Sequence, residues 1–551
     1  MDEEVKTKAK SKIVEDPMGA RTQKMGLLGA ISYIIGMIVG SGIFITPSTI
    51  YRKVNSVGLS LVIWIVSALI AMLGSFCYIE MGTSIRMSGG DFAYLCFMKW
   101  YPLAFAFMSI GCIINYPATL AIQAETFAEY IMKGFGVVMD DTSTFWTRKF
   151  LGFAIIFLLL FMNFFSLKTF VQKFSIAASI SKILTTLLII GTGFYFLIFK
   201  NGTSHFAQPF ANSNWNPGVI VTALFAGLYS YDGWDILNYG LEEIDRPRRT
   251  MPMALIFGMS GIAIIYVAMN VSYFAVLDAE MFNSSQAVAV DFAYVALYQV
   301  RWLMPLLVGI LMIGTLNSTM FSASRYLQAV ARARMIPSFI SCLNPICDSP
   351  RSALFVHVCI AIAISFIGDL DNLINYVAFA QWSQRAFTMA ALVWIRFRHW
   401  EVHPEKLRMP IVMPIFFCFV CTSLIVINTI DDFSSAAVGI GIILGGFIFF
   451  MLFVFEKAFP RFQWYRNLTE CMNESTTKFI QIVFNVMPEF SGMEDRDIAI
   501  GKNRAIDTDG EITSRKGSQK IFPEDETLKM RSMSQKTNNS EVGIRNSKTR
   551  L

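Results

Sequence analysis

About twelve apolar stretches, each near the roughly 20 residues that a membrane-crossing helix needs, follow one another along this chain with no soluble domain between them. They lie near 26–52, 59–85, 92–132, 147–166, 171–199, 216–240, 252–277, 301–334, 351–368, 370–397, 410–428 and 434–456. Backbone polar groups in lipid must be satisfied inside a helix or a closed barrel, so the expected class is an all-α polytopic membrane protein. Composition agrees, with 54% hydrophobic and 16% charged residues. The same reading divides the chain into an N-tail (1–25), a transmembrane core (26–456), a juxtamembrane or interfacial segment (457–493) and a polar, disordered C-tail (494–551). The polar N-terminus lacks the short apolar core and cleavage site of a signal peptide. The first span is therefore expected to direct insertion.

Two of the stretches are broken in the middle, at Gly36 to Pro47 (GMIVGSGIFITP) and at Gly227 to Trp234 (GLYSYDGW). At bilayer depth the backbone can leave the helix only where it is buried in protein or lines a wet cavity. Such breaks at matching positions of two halves point to a midplane substrate site. In the first, Gly40, Ser41 and Gly42 allow unwinding and a restart near Ile43 and Phe44, whose free N–H groups suit a carboxylate. In the second, Ser230 to Gly233 leaves carbonyls of the preceding half-helix open to an ammonium group. Donors at one break and acceptors at the other suit a zwitterionic amino acid. The competing reading of such glycines is close helix packing.

Lys and Arg set the orientation. They crowd the N-tail and alternate loops (Lys168 and Lys173; Arg246, Arg248 and Arg249; Arg332 and Arg334; Arg396, Arg398, Lys406 and Arg408), while most intervening loops are acidic or neutral. Both termini are expected in the cytoplasm; Arg148 and Lys149, on the outer side, dilute the bias. The net charge of +6 then matches anionic inner-leaflet lipid and gives no sign of nucleic-acid binding. Nine Cys and four His form no metal or redox spacing; Cys418 and Cys421, a C-x-x-C inside an apolar span, read as packing residues. No metal, cofactor or enzymatic activity is expected. Asn201 (N-G-T) and Asn283 (N-S-S) fall in expected outer loops as glycosylation acceptors.

GSGIF followed by Thr-Pro, SGGDFAYL after the second span, YDGWDILNYGLEEIDRPRRTMP in the sixth and GTLNSTMFSASR in the eighth together resemble the L-type amino acid transporter light chains of the amino acid-polyamine-organocation superfamily. The resemblance runs from about Gly26 to Phe455. It implies a LeuT-like 5+5 inverted repeat plus two helices, with helices 1 and 6 broken, and amino acid exchange by alternating access at the plasma membrane. By that resemblance Ile38, Ser41 and Gly42 fall where the substrate carboxylate binds, and Tyr229, Ser230 and Asp232 where backbone carbonyls meet its amino group. Tyr229 replaces the aromatic outer gate, and Trp234 lines the pocket. Asp232 resembles members that also accept cationic substrates and is expected to be a side-chain counter-ion, the alternative being a structural pair with an internal Lys or Arg. Lys182 takes the place of a bound sodium, which implies sodium-independent exchange; the alternative is snorkelling.

One departure stands out. The loop MKGFGVVMDDTSTFWTRK holds no Cys for the disulfide to a heavy-chain glycoprotein that many such light chains carry, so a heavy chain would bind non-covalently or be dispensable. The segment Lys478 to Phe490 is expected to lie in the inner interface. The final Thr549, Arg550 and Leu551 resemble a class I PDZ ligand, which adds as a β-strand with its carboxylate in a backbone nest. Ser518 and Ser532 are possible phosphosites. The alternative function is a weakly transporting amino acid sensor or scaffold acting through the PDZ-bound tail.

Overall fold

The computed structural model describes residues 26–85, 90–137, 141–165, 168–200, 202–235, 244, 246–332, 335–344, 349–367, 370–403, 406–455 and 458–487. Asn201, the PDZ-like Thr549, Arg550 and Leu551, Ser518, Ser532 and both tails lie outside them. Eighteen α-helices carry the described chain: α1 (Leu27–Ile38), α2 (Gly42–Val54), α3 (Val57–Ser84), α4 (Gly90–Phe97), α5 (Tyr101–Ile110), α6 (Tyr116–Gly134), α7 (Asp141–Phe164), α8 (Lys168–Phe199), α9 (Pro217–Ser230), α10 (Pro247–Val276), α11 (Ala279–Ser284), α12 (Val288–Ala296), α13 (Leu303–Arg332), α14 (Arg351–Ile364), α15 (Leu370–Phe397), α16 (Val412–Asp431), α17 (Phe433–Phe449) and α18 (Gln463–Phe484). A π-helical turn, Gly111–Asn115, joins α5 to α6 into one span.

The protein is a multi-pass helical membrane protein. Each of the twelve expected stretches carries helix. Among the described residues eight helices are long and apolar enough to cross a bilayer, and α1 with α2, bent by 51°, makes a ninth. The others fall short for visible reasons. Helix α9 ends at the second break, α14 has 14 residues, and α15 carries Gln381, Arg385 and Arg396. Local chemistry sets the starts: Ser56 Oγ accepts from Leu59 N at 3.3 Å to cap α3, and Asn216 accepts from Gly218 N at 3.0 Å ahead of Pro217 in α9.

Two compact units are present. The first holds the described residues from 26 to 326 together with those of 354–468. In it α1 packs on α10, α2 on α9, and α3 on both α9 and α10, while α15 lies against α9 and α16. Along the α6–α7 seam, Lys149 pairs with Glu125 and also donates to Ser365 O, and Arg148 lies 3.7 Å from Glu129. The Lys149 side chain is only 2% exposed. Arg148 and Lys149 thus face two α6 carboxylates one turn apart.

Among the described residues, the second unit comprises those of 327–353 and 469–487. Leu343 and Met487 form an antiparallel bridge, with N–O distances of 2.8 and 2.7 Å, and Asn344 and Arg351 donate to the carbonyls of Asn485 and Phe484. No residue of α18 is buried. Its exposed apolar residues, Trp464, Leu468, Met472, Phe479, Ile482 and Val483, fall within about 100° of arc at helical spacing.

Candidate functional site

The first break is three residues long. Helix α1 stops at Ile38, Val39 to Ser41 bend, and α2 restarts at Gly42, one residue before the expected restart. Ser41, Gly42 and Ile43 are buried. Their N–H groups open a helix and so have no partner within it. Ser41 leads α2 without a side-chain cap bond, which leaves its hydroxyl for another acceptor.

The second break lies against the first. Helix α9 stops at Ser230, and 231–235 form a turn that Gly233 makes possible at φ +99°, a left-handed value. The position of a Cβ on Gly233 is 3.7 Å from Met37 Cβ and 3.8 Å from Ile38 Cγ1. Deeper in, a Cβ on Gly42 would stand 2.6 Å from Ser230 Cα, so glycine is what lets α2 and α9 touch through backbone. Thr46 Oγ1 and Ser230 Oγ share a 2.7 Å hydrogen bond across the same contact.

One hydroxyl joins the two breaks. Tyr266, from α10, lies 2.9 Å from Ile38 O and 3.2 Å from Ser230 O. Trp64 and Tyr231 surround its ring, with centroids 5.5 and 5.0 Å away. The carbonyls keep capacity: Tyr229 O accepts only from Asp232 N at 3.3 Å and Ser230 O only from Tyr266 among the described residues, and a carbonyl has two lone pairs. The hydroxyl of Tyr229 is buried without a partner among the described residues.

Asp232 stands in the arrangement that the sequence left as the alternative. Its Oδ1 accepts from Arg385 Nη2 at 2.5 Å and its Oδ2 from Gln381 Nε2 at 3.2 Å, both on α15. Trp234, expected to line the pocket, packs between α3 and α15. It is 1% exposed, edge-on to Tyr78 at 5.0 Å and 4.9 Å from the Arg385 guanidinium. A large apolar ring with a cation on its face is more stable buried there than in open space. Lys182 reaches α1, its Nζ 3.2 Å from Gly36 O, so its charge meets a carbonyl near the break. Asn283 is exposed on α11.

Sequence reasoning missed Tyr266, Gln381 and Arg385. The signal for Arg385 was present: a cation inside an apolar span is expensive, the rule that singled out Asp232. For Tyr266 only its place inside an otherwise apolar stretch could have raised the question of where the hydroxyl bonds.

Residues 25–455 match the family model described as amino acid permease. "Amino acid transporter protein 6" of Caenorhabditis elegans is 64% identical over 485 residues, covering 88% of this chain and 93% of that protein. The mouse "b(0,+)-type amino acid transporter 1" is 32% identical, covering 85% and 93%. The human "Cystine/glutamate transporter" is 30% identical, covering 85% and 91%. These names differ in substrate, so likeness alone does not assign one.

Proposed function

The chain belongs to the amino acid permease family, as an amino acid transporter of the light-chain group its motifs resemble and not an enzyme, and on that premise we propose a sodium-independent antiporter of L-amino acids. It takes neutral amino acids across the plasma membrane by alternating access, on a LeuT-like inverted repeat of about twelve spans with both termini cytoplasmic. Whether cationic amino acids share the route turns on Asp232.

The observation that carries this reading is the meeting of the two breaks. The N–H groups at Ser41, Gly42 and Ile43 receive the substrate carboxylate, with Ile38 beside them, and the spare lone pairs at Tyr229, Ser230 and Asp232 receive the ammonium. Tyr229 gates from the outside, its buried hydroxyl finding a partner when substrate is bound. Trp234 backs this wall. Lys182, bonded to Gly36 O, puts a fixed positive charge beside the first break, which supports exchange without sodium.

The periphery follows the sequence: glycans at Asn201 and Asn283, a heavy chain bound without a disulfide or not at all, α18 on inner-leaflet lipid, and a PDZ scaffold on Thr549, Arg550 and Leu551. The deciding experiment expresses the chain alone and measures leucine efflux from loaded cells in choline medium. External leucine accelerating efflux is the expected result. Uptake that collapses without sodium would remove the antiporter reading, and bound but untransported leucine would favour the sensor.

A further inference from the structure

Asp232 is already satisfied by an internal cation, and the two partners are not equally held. The Arg385 side chain is 6% exposed, and its guanidinium carbon lies 4.9 Å from the ring centroids of both Trp234 and Trp382. Aromatic faces on a cation fix its position and compensate its lost hydration. The Asp232 side chain is 35% exposed and belongs to the turn that interrupts the helix. The guanidinium is therefore the anchored partner and the carboxylate the more accessible one. Gln381, one turn before Arg385 on α15, takes the second carboxylate oxygen. A planar cation at 2.5 Å from a carboxylate in the substrate site is what the side chain of a bound arginine would itself present.

We infer that Arg385 is a built-in stand-in for a cationic substrate side chain and sets selectivity: by holding Asp232 it denies cationic amino acids their counter-ion and leaves the site to zwitterions with neutral side chains. The inference rests on the exchanger reading and gives it a substrate class. Its logic is a difference of affinities created by an internal competitor. A lysine or arginine substrate must either displace an anchored guanidinium from Asp232 or bring a second positive charge beside it. Leucine meets neither cost. Asp91 and Asp235 do not relieve this, because Arg385 is the cation that both of them face, and Asp91 Oδ1 also accepts from the Tyr78 hydroxyl at 2.5 Å.

The test measures sodium-free uptake of labelled leucine and labelled arginine into cells preloaded with unlabelled amino acid, for the full chain and three variants. In the wild type leucine enters far faster than arginine. Arg385→Gln frees Asp232 and raises the arginine-to-leucine ratio about tenfold or more. Arg385→Lys keeps the charge and stays near the wild-type ratio. Adding Asp232→Asn to Arg385→Gln abolishes the gain. A ratio unmoved by Arg385→Gln overturns the inference. So does wild-type protein that carries arginine as well as leucine. Should Arg385→Gln fail to reach the surface, competition on the wild type decides: excess unlabelled arginine is expected to leave leucine uptake intact, and full inhibition refutes the stand-in. Wild-type protein that carries neither amino acid would instead sink the exchanger reading on which this rests.

Discussion

At the scale of single residues, Gly42 and Tyr266 hold the two breaks against each other. Gly42 has no room for a side chain, since a Cβ would press on Ser230 Cα, which is backbone and cannot rotate away. Gly42→Ala is therefore expected to push α2 off α9 and cut leucine exchange by at least about tenfold, through a misplacement of about 1 Å. Surface labelling run beside the uptake assay checks that the protein is present; full activity would show that the contact is dispensable. Tyr266 is the second. Tyr266→Phe keeps the ring between Trp64 and Tyr231 and removes only the hydroxyl that reaches Ile38 O and Ser230 O. Losing these bonds costs about 1–3 kcal/mol. Because the carbonyls belong to both breaks, the loss is expected as a raised KM for leucine and a lowered melting temperature. A melting shift with unchanged KM would make Tyr266 structural alone.

At the scale of elements, α18 is the helix whose exposed stripe asks for a partner. Six large apolar side chains face one way while its far end is tied back through Asn485 and Phe484. An exposed apolar stripe on an otherwise polar helix fits a membrane surface. The sequence marks 457–493 as a juxtamembrane or interfacial segment with its apolar part at Lys478 to Phe490, but does not by itself resolve the stripe of the first half, which the polar residues there hide until helical periodicity is applied. A spin label on Ile482→Cys, in lipid nanodiscs, is expected to be relaxed more by oxygen than by a water-soluble nickel complex. The reverse order would place the stripe in water. The breaks themselves were legible for a comparable reason: Gly40, Ser41, Gly42 and Gly233 are local, and their effect on a helix does not depend on what lies across the fold.

At the scale of the whole membrane core, what escaped the sequence is what depends on distant partners. Arg385 and Asp232 are 153 residues apart, and no period or motif links them. The same is true of a second clamp on α15. Arg396, eleven residues beyond Arg385 and so on nearly the same face, donates its Nε to Glu80 of α3 at 2.5 Å and its Nη2 to Met409 O at 2.5 Å. Met409 N closes the ring on Glu80 at 3.1 Å. Helix α15 thus grips α3 near its C-terminal end and the second break near its middle, so movement of α15 against either element must release the matching clamp. Removing one partner of a buried pair costs about 3–5 kcal/mol, so Glu80→Gln is expected to weaken the grip around Arg396. Cys77, one turn before Glu80 and fully buried, reports on it. In Glu80→Gln protein Cys77 should become reactive to a small maleimide, identified by the signal lost when Cys77→Ser is added, whereas in the wild type it stays protected. Substrate should modulate that reactivity if the clamp opens during transport. Equal protection in both proteins would mean that α3 and α15 stay together without the pair.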